Sequence, residues 1–262
     1  MIEVARVSFK YPTAQSSPYF ALSEISLGIQ EGESVAIMGA NGSGKSTFAR
    51  CLNGLIVPQD GEVFVNGLST AAEENLPGIR RLVGMVFQNP DNQIVSATVE
   101  REIAFGLENL GLPGDEMHRI VEEKLAQFDL AKYRQKSPHY LSGGEKQRLA
   151  IAAVLAMDPS YIVLDEPTSL LDPRSRRDIL KQIKAFHQNG ASRPIASILI
   201  TQFPEEVSFA DRLIVFHRGR VAADGRPDLV FGQADLLGEI GLEPPIDVKL
   251  KNILRRYSLF KN

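Results

Sequence analysis

The sequence predicts an α/β fold. A mainly parallel sheet is covered on both faces, preceded by an antiparallel β part, interrupted by an inserted helical subdomain and followed by a short helical C-terminal extension. Three observations carry this. Four short, nearly unbroken apolar runs, Ser34–Met38, Val83–Phe87, Tyr161–Leu164 and Ile195–Thr201, lie far apart in the chain with helical stretches between them. Strands of that kind are buried on both faces, as in a parallel sheet with crossover helices. Ile2–Phe9 and Leu22–Ile29 instead alternate apolar and polar residues, like half-buried antiparallel strands. From Val99 to Met157 the apolar spacing is helical, broken at Gly111-Leu112-Pro113-Gly114 and at Ser137-Pro138.

The remaining elements follow in order. Lys45–Leu55 reads as a helix and Gly61–Val65 as a strand. An amphipathic helix from about Pro173 to His187 separates the last two apolar runs. Leu213–His217 and Arg220–Ala223, joined at Arg218-Gly219, read as a closing hairpin. Past Asp224, Pro227–Phe231, Asp235–Ile240 and Val248–Tyr257 read as short helices around a break at Pro244-Pro245. The expected division is a core over 1–224, with the helical subdomain over about 89–158, and an extension over 225–262.

Composition excludes several function classes. The 262 residues are 44% hydrophobic and 23% charged, with a net charge of −3 and mixed signs along the chain. No basic stripe and no aromatic-basic interleaving point to nucleic acid. The single Cys51 excludes an internal disulfide, fits a reducing compartment and reads as a small apolar filler. The first residues lack a basic stretch followed by an apolar one, so no secretory signal is expected. No apolar run approaches the ~18 residues of a membrane helix, so a membrane role must come through a partner.

The chemistry begins at Gly39, Ala40, Asn41, Gly42, Ser43, Gly44, Lys45, Ser46 and Thr47, which fit G-x-x-x-x-G-K-[ST], the phosphate-binding loop. The strand before it and the helix after it make this a P-loop nucleotide-binding core rather than a flexible glycine-rich turn. Gly42 and Gly44 let successive N–H groups turn inward onto phosphate, and the helix N-terminus faces the same anion. Lys45 is placed to reach the β/γ-phosphates, the Ser46 hydroxyl to ligate Mg²⁺ and Thr47 to bind a phosphate oxygen. ATP and Mg²⁺ are the expected cofactors.

A second site element is Tyr161-Ile162-Val163-Leu164-Asp165-Glu166, an apolar strand ending in two carboxylates. The end of a parallel strand is where such sheets bind ligands. Asp165 is expected to hold Mg²⁺, and Glu166 to act as general base toward the attacking water. On its own the pair could be a solvated acidic turn; the phosphate loop in the same chain argues against that. The third element is Leu141-Ser142-Gly143-Gly144-Glu145. Ser142 and Glu145 have capping-box spacing, yet two glycines weaken the first turn. A plain capped helix is the simple alternative. The other is a helix end bared for the γ-phosphate of ATP held by a second subunit.

These motifs, in this order, resemble the ATP-binding-cassette family, whose paired subunits sandwich ATP between them. The resemblance implies further roles. Tyr11 sits where an aromatic stacks on adenine, with a packed strand aromatic as the alternative. Gln88 sits where a glutamine senses Mg²⁺ and the attacking water. Ser169-Leu170-Leu171-Asp172 is similar to the loop that crosses the dimer interface. Gln202 occupies the position where the family usually places a γ-phosphate-contacting histidine. Family members often carry Gln where this chain has Glu145, which brings a negative charge toward the phosphates.

Phe87-Gln88-Asn89-Pro90-Asp91-Asn92-Gln93, the stretch Thr98–Gly106, Asn109-Leu110-Gly111-Leu112 and Gly241-Leu242-Glu243-Pro244-Pro245 closely resemble the ATPase subunits of energy-coupling-factor transporters, which import cobalt, nickel and many vitamins. The resemblance implies an ATPase on the cytoplasmic face of the cell membrane, peripherally attached. It implies pairing with a second ATPase, identical or related, in which the extension takes part. It further implies a transmembrane coupling subunit and a separate membrane subunit that captures the micronutrient. Two alternatives stay open: a soluble cassette ATPase not coupled to transport, and a hydrolysis-impaired regulatory binder, for which Gln202 is the argument.

Overall fold

A computed structural model of the chain describes residues 1–12, 20–188, 194–246 and 248–250. In chain order β1 (Ile2–Phe9), β2 (Leu22–Ile29) and β3 (Ser34–Met38) lead into α1 (Lys45–Leu52), followed by β4 (Asp60–Val65) and β5 (Leu68–Ser69). Next come α2 (Leu76–Leu82) and β6 (Val83–Val86), then α3 (Val99–Asn109), α4 (Gly114–Gln127) and α5 (Gly143–Ala156). The chain returns through β7 (Tyr161–Asp165), α6 (Pro173–Gln188), β8 (Ala196–Ile200), β9 (Arg212–His217) and β10 (Arg220–Gly225). It continues with α7 (Pro227–Phe231) and α8 (Ala234–Glu239).

The strands form two sheets. One is antiparallel, in the order β2-β1-β4-β5; the other runs β10-β9-β3-β8-β7-β6, parallel throughout except for the antiparallel edge strand β10. β3, β6, β7 and β8 are buried at every residue, which is why their sequences are nearly pure apolar runs. α1 lies between the two sheets. Its Phe48, Ala49, Cys51 and Leu52 share one core with Ile2 and Val4 of β1 and with Val35 and Ile37 of β3. The Phe48 ring meets Phe216 of β9 at 5.2 Å between centroids. Full burial of a side chain of this size stabilises by roughly 1.5–3 kcal/mol, enough to fix α1 against the sheet. Burial also pushes the Cys51 thiol up to about 12, so it acts as the apolar filler expected.

The opposite face of the parallel sheet carries the helical block. Ile103 and Leu107 of α3, Leu125 of α4 and Leu149 and Ile151 of α5 pack with Ile162, Leu164 and Leu199 of the sheet and with Ile179 and Ile183 of α6. A third cluster joins Val230, Phe231, Leu237 and Ile240 of the extension to Ala36, Met38, Leu213 and Val215 of the sheet. The extension therefore begins as a cover over β3 and β9 rather than as a separate unit. Most of the expected helix over 248–257 lies outside the described residues.

Two local differences have physical reasons. α1 stops at Leu52, not Leu55, because the chain turns at Asn53 and Gly54, where φ is +68°. The helix Leu76–Leu82 was not expected; Pro77 occupies its first turn, where a missing N–H costs nothing, and Gly78 obscured the pattern. The hairpin at Arg218-Gly219 is the expected one. Both residues have positive φ, +48° and +76°, as a two-residue turn between twisted strands requires.

Candidate active site

The phosphate loop is held from behind by that hairpin: Gly219 N–H donates to the Ser43 carbonyl over 3.0 Å, and Ser23 N–H donates to the Gly219 carbonyl over 2.8 Å. Gly44 has φ +106°, and a Cβ there would stand 2.3 Å from the Ala21 carbonyl oxygen, so no side chain fits. Lys45 is 4% exposed and donates from Nζ to the Gly39 and Ala40 carbonyls at 2.8 and 3.1 Å. These bonds curl the loop around the ammonium. Burial lowers the Lys45 pKa, against the pull of Glu166 and Asp165.

The loop forms one wall of a cavity of about 520 Å³, lined by Tyr11, Ala21, Asn41 through Thr47, Gln88, Glu166 and Gln202. Tyr11 is 44% exposed, with its hydroxyl 3.2 Å from Thr47 Oγ1 and its ring edge-on to Phe9. An open aromatic face at the rim of a phosphate cradle suits a flat heterocycle.

Glu166 stands at the opposite wall. Its φ is +47°, an uncommon conformation for a residue with a long side chain, and its N–H donates to the Ile200 carbonyl over 3.0 Å. Gln88 Nε2 donates to Oε2 over 3.0 Å and Gln202 Nε2 donates to Oε1 over 2.7 Å. Lys45 Nζ lies 4.0 Å from Oε1. The carboxylate is thus aimed by two neutral amides and faces one cation. Gln88 also reaches Ser169 Oγ at 3.3 Å, and that hydroxyl donates to the Glu166 carbonyl over 3.0 Å. Ser169 as a support for the glutamine was not read from the sequence.

Ser46 Oγ donates to Asp165 Oδ1 over 2.9 Å. Burial pushes the Asp165 carboxyl up, countered by the Ser46 hydroxyl. Ser46, Gln88 and Asp165 share a smaller cavity of about 350 Å³ with Arg50, Phe87, Asn89 and Asn92. Hydroxyl and carboxylate oxygens side by side are hard donors that suit Mg²⁺. Among the described residues no group of three His, Cys, Asp or Glu side chains could hold a metal alone. Among the described residues the buried Ser43 Oγ has no hydrogen-bond partner, an acceptor or donor left over inside the cradle.

Ser142, Gly143, Gly144 and Glu145 do not line this cavity. The capping box is formed: Ser142 Oγ accepts from Glu145 N–H at 3.4 Å, and Glu145 Oε2 accepts from Ser142 N–H at 2.8 Å. The Tyr133 hydroxyl donates to Glu145 Oε1. Burial works against the charged form of Glu145, yet these hydrogen bonds hold its carboxyl below the usual range. The charge is therefore engaged within its own chain. A Cβ on the buried Gly144 would stand 2.7 Å from Ser175 Oγ of α6, so this glycine serves helix packing. Gly143 and Ser142 are exposed.

A phosphate loop on a strand–helix turn, with a carboxylate pair at the end of a parallel strand two places away in the same sheet, defines a nucleoside-triphosphate hydrolase of the cassette class. Residues 22–169 match the ABC transporter family model. The chain belongs to the ATP-binding-cassette transporter family, within its energy-coupling-factor branch. It is 45% identical over 256 residues to the energy-coupling factor transporter ATP-binding protein EcfA1 of Caldanaerobacter subterraneus subsp. tengcongensis, spanning 98% of this chain and 91% of that one. Among solved structures it resembles cbiO1 from Clostridium perfringens, described as part of the ABC transporter complex cbiONQ. The TM-score is 0.79 at 33% identity, over 96% of this chain and 98% of that one. It also resembles the ATP-binding cassette MJ0796 in a dimeric post-hydrolysis state bound to ADP and Pi. Here the TM-score is 0.78 at 29% identity, over 87% and 99%.

Proposed function

We propose that the chain is the ATP-binding and hydrolysing subunit that energises import of a micronutrient, a vitamin or transition-metal ion, through an energy-coupling-factor transporter. The observation that carries the chemistry is the Glu166 carboxylate, held between two amides and facing the phosphate loop. ATP enters with its adenine against Tyr11 and its phosphates under the N–H groups of residues 41–47. Lys45 leaves its own loop carbonyls for the β/γ-phosphates, where a preorganised charge stabilises the transition state. Ser46 and Asp165, with Gln88 beside them, would hold Mg²⁺, which supplies charge neutralisation of the phosphates when bound. Glu166 takes a proton from the attacking water, oriented by Gln88 and Gln202.

The chain works as one half of an ATPase dimer. The exposed Ser142-Gly143 end of α5, with Gly144 and Glu145 behind it, meets the γ-phosphate bound to the partner's loop. No helix among the described residues is long and apolar enough to cross a membrane. Transport therefore runs through separate proteins: a transmembrane coupling subunit and a membrane subunit that captures the substrate. The chain sits peripherally on the cytoplasmic face, and nucleic acid has no part in this reading. The experiment is affinity purification of the tagged chain from detergent-solubilised membranes, with phosphate release measured on the purified assembly. Recovery of a coupling subunit together with ATP-dependent phosphate release is expected. Recovery of the chain without membrane proteins would favour a cassette ATPase outside transport.

A further inference from the structure

Glu206 is the least exposed carboxylate among the described residues, at 1%. It stands on the 3₁₀ turn Pro204–Phe209 after β8 and does not line the phosphate cavity. Its two oxygens serve two different segments. Thr168 Oγ1 donates to Oε1 over 2.6 Å, and Thr201 Oγ1 donates to Oε2 over 2.5 Å. Thr168 follows Glu166 across Pro167, and Thr201 immediately precedes Gln202. Thr201 Oγ1 in turn accepts from Phe203 N–H at 3.0 Å. Arg176 places its Nε 3.8 Å from Glu206 Oε1, while its guanidinium lies 3.7 Å over the Phe203 ring.

A buried carboxylate is costly unless its acceptor sites are filled, and an apolar side chain would fill the same space without that cost. Here the carboxylate joins the two turns that carry Glu166 and Gln202, at the ends of the adjacent parallel strands β7 and β8. We propose that Glu206 is a positioning residue for hydrolysis: by tying Thr168 to Thr201 it sets the 2.7 Å contact through which Gln202 orients Glu166. The proposal rests on Glu166 being the general base. It adds a residue that touches neither nucleotide nor water and acts only through the relative placement of two that do.

The test is steady-state phosphate release, with ATP varied, by the full-length chain in its assembled complex. Wild type is compared with Glu206→Gln and with Thr168→Val, the second guarding against a misfolded first. Glu206→Gln keeps the volume but leaves one oxygen in place of two. Thr168→Val removes one arm and keeps the branched shape. Each is expected to lower kcat by about tenfold, the effect of a base held slightly out of line. KM for ATP should stay within about twofold, because the phosphate loop is untouched. In a Glu166→Gln background, Glu206→Gln should reduce the residual turnover no further, since both act on one step. Wild-type kcat in both variants, a matching rise in KM, or an additive loss in that background overturns the proposal. Wild-type turnover in Glu166→Gln alone would overturn the reading of the base and the proposal with it.

Discussion

The Gln202 side-chain amide donates to the Glu166 carboxylate over 2.7 Å, from a strand end separated from Glu166 by a whole helix. With Gln88 on the other oxygen, Glu166 is held in one orientation by groups that carry no charge. A neutral donor aims the carboxylate without placing a second charge beside it. This bears on the histidine usual at position 202. Glutamine supplies a comparable donor and lacks only the cationic state.

Gln202→Ala is therefore expected to lower turnover by about tenfold through loss of an orienting bond worth about 1.4 kcal/mol in the transition state. Gln202→His keeps a ring N–H donor and adds a protonable contact to the γ-phosphate. It is expected to raise turnover by up to roughly tenfold. Phosphate release from the assembled complex measures both; a fall in Gln202→His would show that glutamine is the fitted residue.

Lys45→Ala removes the cation 4.0 Å from Glu166 and opens the loop that its Nζ now gathers. Loss of a charge-assisted contact to phosphate should cost at least about 1.5–3 kcal/mol in ATP affinity. Equilibrium binding of a fluorescent ATP analogue reads this directly. Unchanged affinity and turnover would remove the loop from nucleotide binding.

Glu166→Gln preserves shape and cannot accept the proton. An ATP-bound dimer should persist, and size-exclusion with ATP should show more dimer than wild type. A variant that stays monomeric with ATP, while wild type dimerises, would assign Glu166 another role.

Chelation of divalent cations should stop hydrolysis at any ATP concentration and be reversed by added Mg²⁺. Asp165→Asn should raise the Mg²⁺ concentration for half-maximal turnover by about tenfold, because one charged ligand is lost next to Ser46. Titrating Mg²⁺ at fixed ATP checks this, and an unshifted midpoint places the cation elsewhere.

Truncation divides the extension. Ending the chain after Asp224 removes Val230, Phe231 and Leu237, all at most 4% exposed and packed on the sheet, so a marked fall in Tm is expected. Ending it after Glu243 spares those contacts and is expected to weaken dimerisation without ATP while nucleotide binding is kept. Sedimentation and calorimetry separate the outcomes. Unchanged self-association in the shorter truncation assigns the last residues no part in pairing.

Much of the fold was legible because its signals are local. Uninterrupted apolar runs report strands buried on both faces, and alternation reports the antiparallel layer, so β1, β2, β3 and β7 emerge close to their structural bounds. α2 escaped because proline and glycine in seven residues mask its period. The cover formed by α7 and α8 escaped because apolar spacing shows that a face is buried and not what buries it.

The sequence by itself determined the phosphate loop, the carboxylate pair at the end of β7 and the capped glycine helix end, since each is a short run whose backbone follows from its own residues. Only the tertiary structure decided how they meet. The order β3-β8-β7-β6 sets Lys45, Gln202, Glu166 and Gln88 along the ends of neighbouring strands, and so lets two amides and an ammonium converge on one carboxylate. It likewise turned the Glu145 charge onto Tyr133 and buried Glu206 between Thr168 and Thr201. Hydrogen bonds act over about 3 Å, so such partners are chosen by strand order and packing, which no stretch of local sequence encodes.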